Sequence, residues 1–87
     1  MKNKVLIRLI VPELNNVYDV FIPVNELVWK VKKLIIKSVS DITNVPLNID
    51  MNCFLMNKDS CQIYKDNDII INTDIRNGSE IILISSM

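Results

Sequence analysis

Histidine and alanine are both absent from the 87 residues, and glycine occurs once, at Gly78. Without His the chain lacks the commonest general base and the commonest metal ligand, and no Ser-His or Cys-His pair can form. A single Gly excludes the GxGxxG and GxxxxGK loops that cradle phosphate, and no HExxH, CxxC or EF-hand spacing occurs. No enzymatic activity is therefore expected, and no catalytic, cofactor-binding or metal-ligating residue stands out. An excess of one charge is missing too: 10 Lys and Arg balance 10 Asp and Glu, for a formal net charge of 0. That removes the electrostatic footprint of a nucleic-acid or membrane-surface binder, so neither is expected as a partner. No apolar run approaches the roughly 18 residues of a membrane span. The run after Met1-Lys2-Asn3-Lys4 is broken at Arg8, Pro12 and Glu13 before it can serve as a signal-peptide core. The chain is expected to be soluble and cytoplasmic.

What remains is a chain that is 49% hydrophobic, enough to build a core but too short for two. A single domain over residues 1–87 is expected. Val5, Ile7, Leu9 and Val11 alternate with Leu6, Arg8 and Ile10, so one face of a first strand is wholly apolar and the other mostly so. Pro12-Glu13-Leu14-Asn15-Asn16 is turn chemistry. A second strand over 17–22 then completes a hairpin, with Tyr18, Val20 and Ile22 toward the core and Asp19 toward solvent. Pro23 ends it.

Asn25 is a permissible helix N-cap, Glu26 suits a first turn, and Val28, Val31, Ile35, Val39 and Ile42 recur at spacings of three and four. Lys30, Lys33 and Lys37 line the opposite side of that helix, with Lys32 at the border of the apolar stripe, and read as a solvated face. The helix is rich in β-branched residues, so packing onto a sheet must stabilise it. Segment 40–52, with Asp41, Asn44, Pro46, Asn48 and Asp50, reads as the longest connection, crossing the edge of the sheet.

Cys53-Phe54-Leu55-Met56 and Cys61-Gln62-Ile63-Tyr64 read as short strands around a turn at Asn57-Lys58-Asp59-Ser60. In that register Met56 faces Cys61 and Cys53 faces Tyr64, leaving the two cysteines about 10 Å apart along the ladder. Both thiols are expected to be free. Ile81-Ile82-Leu83-Ile84, apolar on both faces, reads as a second central strand. Two central strands at the two chain ends are satisfied by lying side by side and parallel. A hairpin of 69–75 with 81–84 through Asn77-Gly78 is the rival, ranked second because Asp66, Asn67, Asp68, Asn72, Thr73 and Asp74 punctuate that stretch like a loop.

This strand order, the helix after the hairpin and the ending Ile75-Arg76-Asn77-Gly78-Ser79-Glu80-Ile81-Ile82-Leu83-Ile84 resemble ubiquitin-like proteins over essentially the whole chain. The resemblance implies an α+β fold, a ubiquitin-like β-grasp with a mixed four- or five-stranded sheet packed on one main helix. More narrowly, Tyr18-Asp19-Val20-Phe21-Ile22-Pro23 before the helix, with Asn57-Lys58-Asp59 and Asn77-Gly78, is similar to the YukD/EsaB family of Gram-positive type VII secretion systems. That family resemblance implies a cytosolic accessory or regulator of the secretion machinery, with a machinery component as its protein partner. Ubiquitin-type modifiers and sulfur carriers end in Gly-Gly, whereas this chain ends Ile84-Ser85-Ser86-Met87, so conjugation is not expected. Abundant Asn and Ile with no Ala fits an AT-rich bacterial or phage genome.

If the odd residues of the first strand face the helix, Leu6, Ile10, Phe21, Leu55, Ile82 and Ile84 point to the uncovered side of the sheet and form one contiguous patch. Such a patch marks a protein interface. The alternative is that segment 40–52 folds over it. Three function classes stay open: a non-conjugating ubiquitin-like interaction module, which leads, a degenerate carrier protein, and a homodimeric adaptor that uses the patch for a second copy.

Overall fold

A computed structural model of the chain describes residues 3–44 and 53–85. Strand β1 (Lys4–Val11) turns through a short 3-10 segment, Pro12–Leu14, into β2 (Asn16–Pro23). Asn15 takes the left-handed conformation (φ 50°) that closes this turn, a conformation Asn tolerates better than most side chains. Helix α1 (Val28–Thr43) follows, then β3 (Phe54–Asn57), a second 3-10 segment at Ile70–Asn72, and β4 (Glu80–Ile84). The sheet order is β2-β1-β4-β3. β1 runs antiparallel to β2 and parallel to β4, and β4 antiparallel to β3.

The strands that are apolar on both faces, β1 and β4, thus occupy the two central positions as their patterning requires. The Asn77-Gly78 hairpin does not form. Ile70–Asn72 is a 3-10 turn, and Asn77-Gly78 instead lies at the middle of a turn closed by the Ser79 N–H donating to the Arg76 carbonyl at 3.0 Å. Gly78 has φ +86° there, a value glycine adopts without steric cost. The turn also feeds β4 onto β1. Leu6 N–H donates to the Asn77 side chain (2.8 Å), and Gly78 N–H donates to the Leu6 carbonyl (2.8 Å).

Between sheet and helix lie Ile7, Leu9 and Val11 of β1, Val20 and Ile22 of β2, Ile81 and Leu83 of β4, and Val28, Val31, Ile35 and Val39 of α1, all buried. The helix stripe ends one turn earlier than its spacing implies, because Ile42 is 60% exposed. The cap also differs from the sequence expectation. The helix begins at Val28 with Leu27 as N-cap residue and no side-chain cap. Its first free N–H groups are met from across the chain: Val28 N–H donates to the Asp68 carbonyl (2.9 Å) and Trp29 N–H to the Asp66 carbonyl (3.3 Å). A loop some 40 residues away does the work expected of Asn25.

The same loop holds Lys32, which is buried at 3% exposure rather than bordering the stripe. Its ammonium reaches Asp66 Oδ1 at 2.6 Å and donates to the Cys53 carbonyl at 2.9 Å. A buried charge requires this kind of double satisfaction.

The turn after β3 is longer than its sequence implies. Tyr64 N–H donates to the Leu55 carbonyl (3.0 Å), Asn57 N–H donates to the Gln62 carbonyl (2.9 Å), and Met56 pairs with Ile63. The register is therefore shifted by two residues from a Met56–Cys61 pairing, and residues 61–64 contribute a single bridge rather than a strand. Two features force this. Asn57, itself buried, accepts the Asp59 and Ser60 N–H groups on its side-chain oxygen (2.9 and 3.2 Å), and Cys61 turns the chain back at φ 60°. Both cysteines are free, Cys53 buried and Cys61 exposed.

Candidate protein-binding face

Side chains alternate across a strand, so the register assigns every residue of the sheet to one face. On the side away from α1 the pairings line up in rows. Val17 lies beside Ile10, Ile10 beside Ile82, Ile82 beside Met56 and Met56 beside Ile63. Adjacent strands are about 4.8 Å apart, so this is one unbroken apolar row across the full width of the sheet. Ile84 and Phe54, also paired, extend it toward one end. Phe54 is 44% exposed, Val17 and Ile63 are exposed as well, and Ile10, Met56, Ile82 and Ile84 are half-buried.

The next row carries charge of alternating sign. Asp19 pairs with Arg8, Arg8 with Glu80, and Lys58 donates its backbone N–H to Glu80 (2.9 Å). The Lys58 ammonium lies 3.4 Å from Glu80 Oε2. Beyond this charged row Leu6 and Phe21 pair with each other. The six residues expected from sequence therefore separate in three ways. Ile10, Ile82 and Ile84 stand together; Leu6 and Phe21 share the face but are cut off by the charges.

Leu55 is a correction: it pairs with Leu83 on the helix side of the sheet and is 1% exposed. Phe54 and Met56 take the place assigned to it. The parity of β3 depends on the connection that leads into it, and a four-residue strand with no polar residue before Asn57 carries no mark of which side faces solvent. Residues 45–52, the part of segment 40–52 that was to cross the sheet edge or cover the patch, lie outside the described residues, whereas residues 40–43 are helix. Val17 could have been found from sequence, because it shares the parity of Asp19 and Phe21.

A polar network stiffens the β3 end of this face. Tyr64 is buried; its hydroxyl donates to Asp74 Oδ1 and accepts from Asn57 Nδ2 at 3.2 Å. Burial first, and then the hydrogen bond that the Asp74 carboxylate accepts, pushes the Tyr64 phenol up from 10.0 to about 12. A neutral Tyr thus ties the Asn57 turn to the loop that leads into β4.

Among the described residues no helix is long and apolar enough to cross a membrane. No protein-family model matches the chain, and no curated protein matches it at a significant level. Solved structures do match, and the chain has the ubiquitin-like β-grasp fold. It is similar to the ubiquitin-like domain of the Mycobacterium tuberculosis type VII secretion system protein EccD1, with 12% identity and a TM-score of 0.69, covering 94% of this chain and 98% of that one. It is similar to Caldiarchaeum subterraneum ubiquitin at 13% identity and a TM-score of 0.65, covering 97% of this chain and 95% of that one. A chain of the MycP5-free ESX-5 inner membrane complex gives a TM-score of 0.76 at 15% identity, covering 98% of this chain but only 22% of that one.

Proposed function

We propose that this chain is a non-conjugating ubiquitin-like interaction module that serves type VII protein secretion as a cytosolic accessory or regulator, in the manner of the YukD/EsaB family. The observation that carries an interaction role is the apolar row Val17, Ile10, Ile82, Met56 and Ile63, laid across the sheet on the side away from α1. A row of that length from adjacent strands is more than the scattered apolar exposure of an ordinary surface. The charged row beside it supplies orientation, since a partner must present opposite charges in the same alternation. Fold-level likeness to a secretion-system ubiquitin-like domain and to a chain of the ESX-5 complex supports the choice of machinery, together with the Tyr18-to-Pro23 and Asn77-Gly78 motifs.

The test is complementation. A strain lacking the gene receives the wild-type chain or the Val17→Asp/Ile63→Asp variant, whose substitutions fall on exposed positions. Loss of type VII substrate export with an unchanged thermal melt supports the reading. Full export by the folded variant would reject it.

A homodimeric adaptor is the second reading, and the charge order favours it. A two-fold axis along the strands, between β1 and β4, reverses each row. Asp19 then meets Lys58 of the second copy, Arg8 meets its Glu80, and the apolar row meets itself. Light scattering would show a dimer that Arg8→Glu dissociates and Arg8→Glu/Glu80→Arg restores. A wild-type chain that stays monomeric at high concentration would eliminate it.

A further inference from the structure

Helix α1 carries a second stripe on its outer side, separate from the sheet face. Glu26, Trp29, Lys30, Lys33, Leu34 and Lys37 recur at helical spacing and, with Pro23, line a shallow groove of about 540 Å³. The lysines were expected to form a solvated face, yet two of them are organised around an aromatic ring. The Lys30 and Lys33 ammoniums lie 5.6 and 5.2 Å from the Trp29 ring centroid. Beside them Leu34 is 47% exposed, so the stripe presents a large aliphatic side chain next to the ring and the charges.

The charges are unbalanced at this site although the chain as a whole is neutral. Lys30 is 3.7 Å from Glu26. Among the described residues neither Lys33 nor Lys37 has a carboxylate within ion-pair distance. They are one helical turn apart on the same face, about 6 Å along the axis. The groove thus offers an apolar floor, Trp29 and Leu34, under a cationic rim. Holding ammoniums over the indole restricts their motion in advance, which lowers the ordering cost of binding an anion.

We infer that this groove docks an acidic segment of a protein partner, one that carries a large apolar side chain between carboxylates. The apolar side chain seats on Trp29 and Leu34, the role in which Trp is enriched at interface centres. The carboxylates meet Lys33 and Lys37. Three lysines with a glutamate among them are thin charge for an anionic bilayer, whose surface recognition uses clusters of about four to eight basic residues.

Trp29 is the single Trp of the chain, so its fluorescence reports this groove directly. The probe is a synthetic Asp-Glu-Leu-Phe-Glu-Asp peptide, titrated into the full chain. A saturable change in Trp29 emission is expected, weakening with added salt. Lys33→Glu/Lys37→Glu should weaken it about tenfold or more, a difference of about 1.4 kcal/mol in binding free energy. The thermal melt of that variant should match the wild type. The sheet-face variant Val17→Asp/Ile63→Asp should bind the peptide as the wild type does, which separates this site from the proposed interface. No saturable change, equal binding of the amide peptide Asn-Gln-Leu-Phe-Gln-Asn, or saturation by phosphatidylserine vesicles but not by the acidic peptide would each overturn the inference.

Discussion

Replacing Leu55 by Ala and, separately, Phe54 by Ala tests the face assignment of β3 with two adjacent residues. Leu55 is 1% exposed and packs between β4 and the helix side of the core, whereas its neighbour is 44% exposed on the other face. Truncating a buried Leu costs the lost transfer free energy plus the cavity left behind, about 3 kcal/mol in a well-packed site. A domain of this length is stable by roughly 4–13 kcal/mol, so the loss is a large fraction of the total. At about 4–8 °C per kcal/mol, the midpoint should fall by about 12–24 °C. Phe54→Ala opens no cavity in the core, because the ring lies on the partly solvated outer face, and should shift stability by about 1 kcal/mol or less. Thermal and urea melts followed by circular dichroism would measure both, with equal urea slopes confirming that the denatured state is unchanged. Equal destabilisation by the two substitutions, or a larger effect at Phe54, would refute the parity on which the proposed interface rests.

Three further outcomes follow from particular contacts. Tyr64 has a folded pKa of about 12 against an ordinary 10.0, so its contribution to stability is intact below about pH 10 and is lost as pH rises through about 12. Stability measured across that interval should fall more steeply for the wild type than for Tyr64→Phe, and parallel curves would show that the phenol is not perturbed. Gly78→Ala meets no atom within 4 Å but must hold φ +86°, so a loss of about 1–2 kcal/mol is expected, with Gly78→Asn milder; a neutral Ala variant in a chemical melt would contradict the turn geometry. Alkylation under non-reducing conditions should add one group to the native protein, at exposed Cys61, and a second, at Cys53, only in denaturant; an intramolecular disulfide by intact mass would contradict the fold.

The centre of the sheet was legible because two strands apolar on both faces have few alternatives to burial side by side. The first hairpin was legible too, since Asp19 marks one face and Pro12 to Asn16 supplies the turn. What escaped depends on contacts distant in sequence. Asn25 has the chemistry of a cap, but the carbonyls of Asp66 and Asp68 reach the helix start first. Lys32 reads as a border residue until Asp66 and the Cys53 carbonyl are brought to it. The turn after β3 misled because Asn57 is a buried anchor rather than an exposed turn residue, and because Cys61, not a Gly, takes the left-handed conformation. On the sheet face away from α1, the patch was half legible: β1 and β4 gave Ile10, Ile82 and Ile84 the correct side. Its division by Asp19, Arg8, Glu80 and Lys58 becomes visible only when the register is known.

The claim that most needs a direct test is that the apolar row binds a protein of the secretion machinery. A photo-crosslinking amino acid placed at Ile63, an exposed end of that row, would be activated in cells that express the system and the adducts identified by mass spectrometry. The expected result is a covalent adduct with a cytosolic part of the type VII machinery, absent when the same probe replaces exposed Asn25 and abolished by Val17→Asp. Adducts that contain only a second copy of the chain, or none above the Asn25 control, would contradict it.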